Sequence, residues 1–97
     1  MPKAIWNNQV IAEAAANEIH RVERNVYFPL SAVKREFLRE SDTHSHCAWK
    51  GTASYYDVII DGQVNEAAAW YYPDPSKMAK RIKGYVAFWH GVKVEEE

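Results

Sequence analysis

Reactive side chains are unevenly spread along this chain. The segment from Asp42 to Tyr56 holds His44, His46, the only cysteine (Cys47), then Trp49, Lys50, Gly51 and the pair Tyr55-Tyr56. A thiol beside a lysine and a histidine can have its pKa lowered, which raises the thiolate fraction and makes a nucleophile or a redox thiol. Cys47 would be that group and Lys50 the cation that tunes it. Against this stands the commonest fate of a free cysteine, burial as a small inert hydrophobe. Metal chemistry is a second option, because His44, His46 and Cys47 are borderline-soft ligands that His20, His90 or Asp42 would have to complete. No Cys-x-x-Cys knuckle or other ligand spacing accompanies them, so neither a metal nor a cofactor is expected.

Aromatic side chains offer a third chemistry. Four Trp, six Tyr and three Phe exceed what one small core has to hold. They gather as Tyr55-Tyr56 and Trp70-Tyr71-Tyr72, with Ala67-Ala68-Ala69 between. Neighbouring strand residues point to opposite faces, so each group sends rings both inward and outward. Outward rings beside small residues suit a flat or cationic ligand, through stacking or cation–π contact. The leading expectation is therefore a small-ligand-binding domain, with its pocket between the Cys47–Gly51 loop and an aromatic hairpin. Trp49, Tyr56, Trp70 and Tyr72 would be its walls and His46 a further contact. Lys50 would supply a cation for a carboxylate or phosphate, and Gly51 would let the backbone approach closely. Two alternatives come from other classes: an enzyme acting through Cys47 and Lys50, and an interaction module whose aromatic patch meets a partner or a second copy as a homodimer.

The elements that must position these residues read as mainly β. Lys3–Asn7 and Val10–Glu13 flank an Asn7-Asn8 turn, a pair that tolerates positive φ. Glu18–Val22 and Asn25–Phe28 form a second pair, with Ile19, Val22, Val26 and Phe28 inward, and Pro29 ends it. From Ser31, a plausible N-cap, the spacing of Val33 and Phe37 predicts a short helix to about Arg39. Thr43–Lys50 has no period and reads as a loop. Thr52–Ile60 and Gln63–Tyr72 flank Asp61-Gly62, a strong hairpin signal. A two-residue turn would set Asp57 against Glu66, a like-charge pair. A three-residue loop with Gly62 in a bulge avoids this by setting Val58 opposite Val64, and is the preferred register. Asp74-Pro75 then opens a second helix to about Lys83, with Met78 and Ile82 inward. Gly84 stops it, Tyr85–Trp89 is a strand, and His90-Gly91 turns into Val92–Glu95. Glu95-Glu96-Glu97 reads as a solvated tail.

Composition bounds the rest. The 97 residues, 47% hydrophobic with a formal net charge of −1, predict one domain over residues 1–97. Near-neutrality argues against a nucleic-acid or anionic-membrane binder. The basic residues Lys34, Arg35 and Arg39, and Lys77, Lys80, Arg81 and Lys83, read as solvated faces. No apolar run approaches the roughly 20 residues of a membrane helix. The start lacks a signal-peptide pattern. A cytoplasmic location with a reduced thiol is expected, and one cysteine rules out an intrachain disulfide. Glycine-rich phosphate loops, Gly-x-Ser-x-Gly and His-Glu-x-x-His are absent from the sequence.

Several runs occur in an order that resembles the domain-of-unknown-function 427 family, small bacterial and fungal proteins catalogued under a nucleotidyltransferase-like label. They are Val26-Tyr27-Phe28-Pro29, Cys47-Ala48-Trp49-Lys50-Gly51-Thr52-Ala53-Ser54-Tyr55-Tyr56, Ala69-Trp70-Tyr71-Tyr72-Pro73, Pro75, and Ile82-Lys83-Gly84-Tyr85-Val86-Ala87-Phe88. Ala48 departs from the family's pattern, in which proline follows the cysteine, and His46 is not part of that pattern. The resemblance implies a mainly β (α+β) fold: a compact antiparallel two-sheet or barrel-like domain, similar to the β-tent group, with two short helices. It does not carry nucleotidyl transfer here, because a Gly-Ser plus paired-carboxylate constellation for metal and triphosphate is missing.

Overall fold

Short β-rich runs separated by two-residue turns give nine strands in the computed structural model, which describes residues 1–96. They are β1 (Lys3–Trp6), β2 (Gln9–Glu13), β3 (His20–Val22), β4 (Asn25–Tyr27), β5 (Leu38–Cys47), β6 (Gly51–Ile60), β7 (Gln63–Tyr71), β8 (Val86–Phe88) and β9 (Lys93–Glu95). All pairings between these strands are antiparallel, in three open sheets ordered β2-β1-β9, β3-β4 and β5-β6-β7-β8. This corrects the barrel-like alternative, since among the described residues no sheet closes on itself. A reciprocal pair of backbone hydrogen bonds, each 2.8 Å, joins Phe28 to Val86 and ties the β3-β4 hairpin to β8.

The four-stranded sheet is a middle layer. Strand alternation sends Tyr56, Val58, Ile60, Ala69, Val86 and Phe88 to a first core with Ala4, Ile11, Ala12 and Phe28. It sends Ala53, Tyr55, Trp70, Tyr72 and Ala87 to a second core with Val22, Tyr27, Ala79 and Ile82. Twelve of the thirteen aromatics pack in or against these two cores, and only Trp89 stands outside them, 43% exposed. Among the described residues no helix is long and apolar enough to cross a membrane.

Neither expected helix forms, and only 3₁₀ turns take their places. Leu30–Ala32 and Arg35–Phe37 are separate turns. Between them Val33 is extended and bridges Ala12, while Lys34 N–H donates to the Ile11 carbonyl (2.9 Å). Pairing with β2 thus breaks the helix that the Val33–Phe37 spacing predicts. Lys77–Ile82 is 3₁₀, interrupted at Ala79. With three residues per turn, Ala79 and Ile82 share the inward side, and Met78 is 80% exposed instead of inward.

Much of the expected Thr43–Lys50 loop belongs to β5. This edge strand is exposed on both faces for most of its length, so it shows no alternation. The β6-β7 hairpin has the two-residue Asp61-Gly62 turn, pairing Ile60 with Gln63 and Val58 with Asn65, which overturns the preferred three-residue loop. The like-charge conflict is resolved farther along. A bulge between Tyr56 and Val58 puts Ala67 at φ 52, and Asp57 Oδ1 accepts the Ala67 N–H (2.8 Å). Asp57 Oδ2 accepts from Arg39 Nη2 (3.0 Å) and Nε (3.2 Å). The acidic tail is also more engaged than expected: Glu95 lies in β9 opposite Lys3, and Glu96 pairs with Arg21. Glu97 lies outside the described residues.

Candidate functional site

Ala48-Trp49-Lys50 turns β5 into β6 and brings Cys47 opposite Gly51. Gly51 sits at φ +110, a conformation L side chains rarely adopt. The segment after β7 folds back over this turn. Ser76 N–H donates to the Lys50 carbonyl (2.9 Å), and Ser76 Oγ donates to the Trp49 carbonyl. Turn and segment are thereby fixed to one another.

Beneath the turn the Lys50 side chain is only 7% exposed. Its ammonium donates to Glu23 Oε1, while Glu23 Oε2 accepts from Trp49 Nε1 (3.2 Å). The Lys50 nitrogen lies 5.4 Å from the Tyr72 ring centre and 5.6 Å from that of Trp49. Burial pulls the Lys50 pKa down, but the Glu23 hydrogen bond and the nearby Tyr27, Tyr72 and Glu23 charges outweigh it, and the net shift is upward. The hydrogen bonds from Lys50 and then Trp49 hold the Glu23 carboxyl below its ordinary value. Burial raises the Tyr72 phenol, with Lys50 opposing it. Glu23 reaches this position because it and Arg24 form the β3-β4 turn at φ 54 and 69. Neither residue type favours that region, and the carboxylate's grip on Lys50 and Trp49 accounts for the arrangement.

The expected wall residues separate into two groups. Trp70 and Tyr72 are buried in the second core, where Trp70 Nε1 donates to the Tyr27 hydroxyl (3.1 Å), and Trp49 packs at its edge. Tyr56 lies on the opposite face of the sheet. There it stacks on Tyr71 with ring centres 4.6 Å apart, and the Tyr71 hydroxyl donates to Glu40 Oε1 (3.1 Å). Cys47 is half-buried against the second core. The Lys50 ammonium is directed to Glu23. Glu23 was not legible as its partner, the only sign being a two-residue gap between Val22 and Asn25.

His46 and Gly51 do share a cavity. A cleft of about 690 Å³ runs between the β5-β6 end of the sheet and the segment Pro73–Ser76, and His44, Thr52 and Ser54 also line it. His44 pairs across the strands with Ser54, and His46 with Thr52. The His44 Nδ1 to Ser54 Oγ distance is 3.2 Å, and His46 Nδ1 to Thr52 Oγ1 is 3.4 Å. The sequence reading did not single out His44, Thr52 or Ser54 as contacts. Their alternate spacing on two strands would have marked them had β5 been recognised.

A family model described as a domain of unknown function (DUF427) matches residues 3–97. The chain belongs to the DUF427 family. No curated protein matches it. In this DUF427 domain the Cys-Ala-Trp-Lys-Gly run therefore has two sides. Trp49 and Lys50 anchor the turn to Glu23 and the second core, while Ala48 and Gly51 face the cleft. Among the described residues no group of three or more His, Cys, Asp or Glu side chains could hold a metal ion. What the cleft presents is hydrogen bonding: two imidazoles (His44, His46), three hydroxyls (Thr52, Ser54, Ser76) and the Asp74 carboxylate.

Proposed function

We propose that this domain binds a small polar molecule in the cleft between the β5-β6 end and Pro73–Ser76. The observation that carries this is the double row of His44, His46, Thr52 and Ser54 inside a cavity of about 690 Å³. That volume falls within the roughly 300–1,000 Å³ usual for small-molecule sites. A ligand with several hydroxyl, amide or carbonyl groups matches these side chains better than a flat hydrocarbon. The buried aromatics Trp70 and Tyr72, with Trp49 and Lys50, act from behind by holding the turn rigid. The reading includes a β-tent arrangement of the sheets and a cytoplasmic setting in which Cys47 stays reduced.

A thermal-shift screen of polar metabolites tests it, run on the native chain and on His46→Ala and Thr52→Ala. Both substitutions sit at exposed positions, so the fold should tolerate them. A hit is expected to raise the native midpoint and to lose that effect in both variants. A screen without hits, or hits that both variants retain, would overturn the proposal.

A further inference from the structure

A second pocket, of about 200 Å³, is lined by Leu30, Arg35, Leu38, Glu40 and Tyr56. It lies apart from the cleft and shares no residue with it. Leu30, Leu38 and Tyr56 pack on the first core and give it an apolar floor. Its two charged residues are of opposite sign. Glu40 is steadied by the Tyr71 hydroxyl on Oε1, and Tyr71 is steadied in turn by stacking on Tyr56. The Arg35 backbone carbonyl accepts the Leu38 N–H, but its exposed guanidinium makes no hydrogen bond or ion pair with any described residue, Glu40 included. Arg39, by contrast, is spent on Asp57.

An unpaired guanidinium and a positioned carboxylate, at one apolar pocket but not bonded to each other, are the complement of a zwitterion. We propose that this pocket binds a free α-amino acid with an apolar side chain. Its carboxylate would sit on the Arg35 fork, the group best shaped for bidentate carboxylate recognition. Its ammonium would meet Glu40, and its side chain would cover Leu30, Leu38 and Tyr56. A peptide places its two terminal charges farther apart than one amino acid does. The pocket is also smaller than the roughly 300 Å³ at which drug-sized sites begin. This inference is independent of the cleft.

Titrating the full ¹⁵N-labelled chain with L-leucine tests it. The series runs to about 10 mM, beyond the millimolar affinity expected of so small a ligand. Saturable amide shifts are expected at Leu30, Arg35, Leu38 and Tyr56. N-acetyl-leucine lacks the ammonium and leucinamide lacks the carboxylate; each should bind about tenfold more weakly, having lost one charge-assisted contact. Arg35→Gln should bind leucine and leucinamide alike, and Glu40→Gln should bind leucine and N-acetyl-leucine alike. Three results would each overturn the proposal: no saturable shift, shifts confined to His46 and Thr52, or equal binding of leucine and its capped forms to the native chain.

Discussion

Lys50 is a buried cation whose carboxylate partner, Glu23, stands half in solvent. Removing one member of such a pair is not equivalent to removing the other. Glu23→Gln leaves an ammonium among Trp49, Tyr72 and the protein interior without a counter-charge. Lys50→Met removes the desolvated charge and keeps most of the packing, a change that is often neutral or stabilising. The expected outcome is a lower urea midpoint for Glu23→Gln and an unchanged or higher one for Lys50→Met. Equal losses in the two variants would show that the cation itself stabilises the fold. At this scale the sequence was half legible. Lys50 and its neighbours stand out as a cluster, but Glu23 is 27 residues away on a turn whose residue types give no turn signal.

The β6-β7 hairpin shows how far local chemistry specifies an element. Asp61-Gly62 marks the turn, and the clash of Asp57 with Glu66 is visible from the register arithmetic. The remedy is not visible, because it depends on Arg39 arriving from β5, an edge strand without alternation. Asp57 accepts from Arg39 and from the bulged Ala67 N–H, so it fixes both the bulge and the register beyond it. Asp57→Ala leaves those donors unpaired and should cost about 2 kcal/mol in urea unfolding. A loss within about 0.5 kcal/mol, the range of ordinary surface substitutions, would mean that the bulge holds itself. The helices fail for a similar reason. Val33 and Phe37 are spaced as on a helix, but a chain that touches the core through successive 3₁₀ turns gives nearly the same pattern. In the second case the inward pair is Ala79 and Ile82, three apart, and Met78 faces solvent. Pairing of Val33 with Ala12 decides the first case. The strand-rich class was readable because most strands are half-buried or close on well-marked turns. The Cys47–Gly51 segment was readable as a cluster of reactive types, but the pocket was expected between it and the aromatic hairpin, and the cleft lies against Pro73–Ser76 instead.

For the molecule as a whole, the perturbed groups act together on pH dependence. Burial, then the Tyr56 and Glu40 neighbours, push the Tyr71 phenol up to about 12. Tyr72 and Lys50 are also raised, from ordinary values of 10.0 and 10.5. A group whose folded pKa is raised contributes fully below its unfolded value and loses that contribution as pH climbs toward the folded one. Glu23 is the reverse: lowered from 4.5, it contributes above that value and loses the contribution as pH falls. The melting temperature should therefore be nearly level between about pH 5 and 9 and decline on either side. A melting temperature still rising above about pH 10, followed by circular dichroism, would contradict this.

In the three-stranded sheet, β1 lies at the centre with β2 on one side and β9 on the other, so Lys3 pairs with Glu95. The domain's first strand is thus hydrogen-bonded to its ninth. A ribosome-bound chain has β2 alone to cover one edge of β1. The other edge and the apolar surface that Val92 and Val94 close stay open until β9 has been made. Completion of the first core therefore joins segments about 90 residues apart, from Lys3 to Glu95, and contacts of such long range are slow to form.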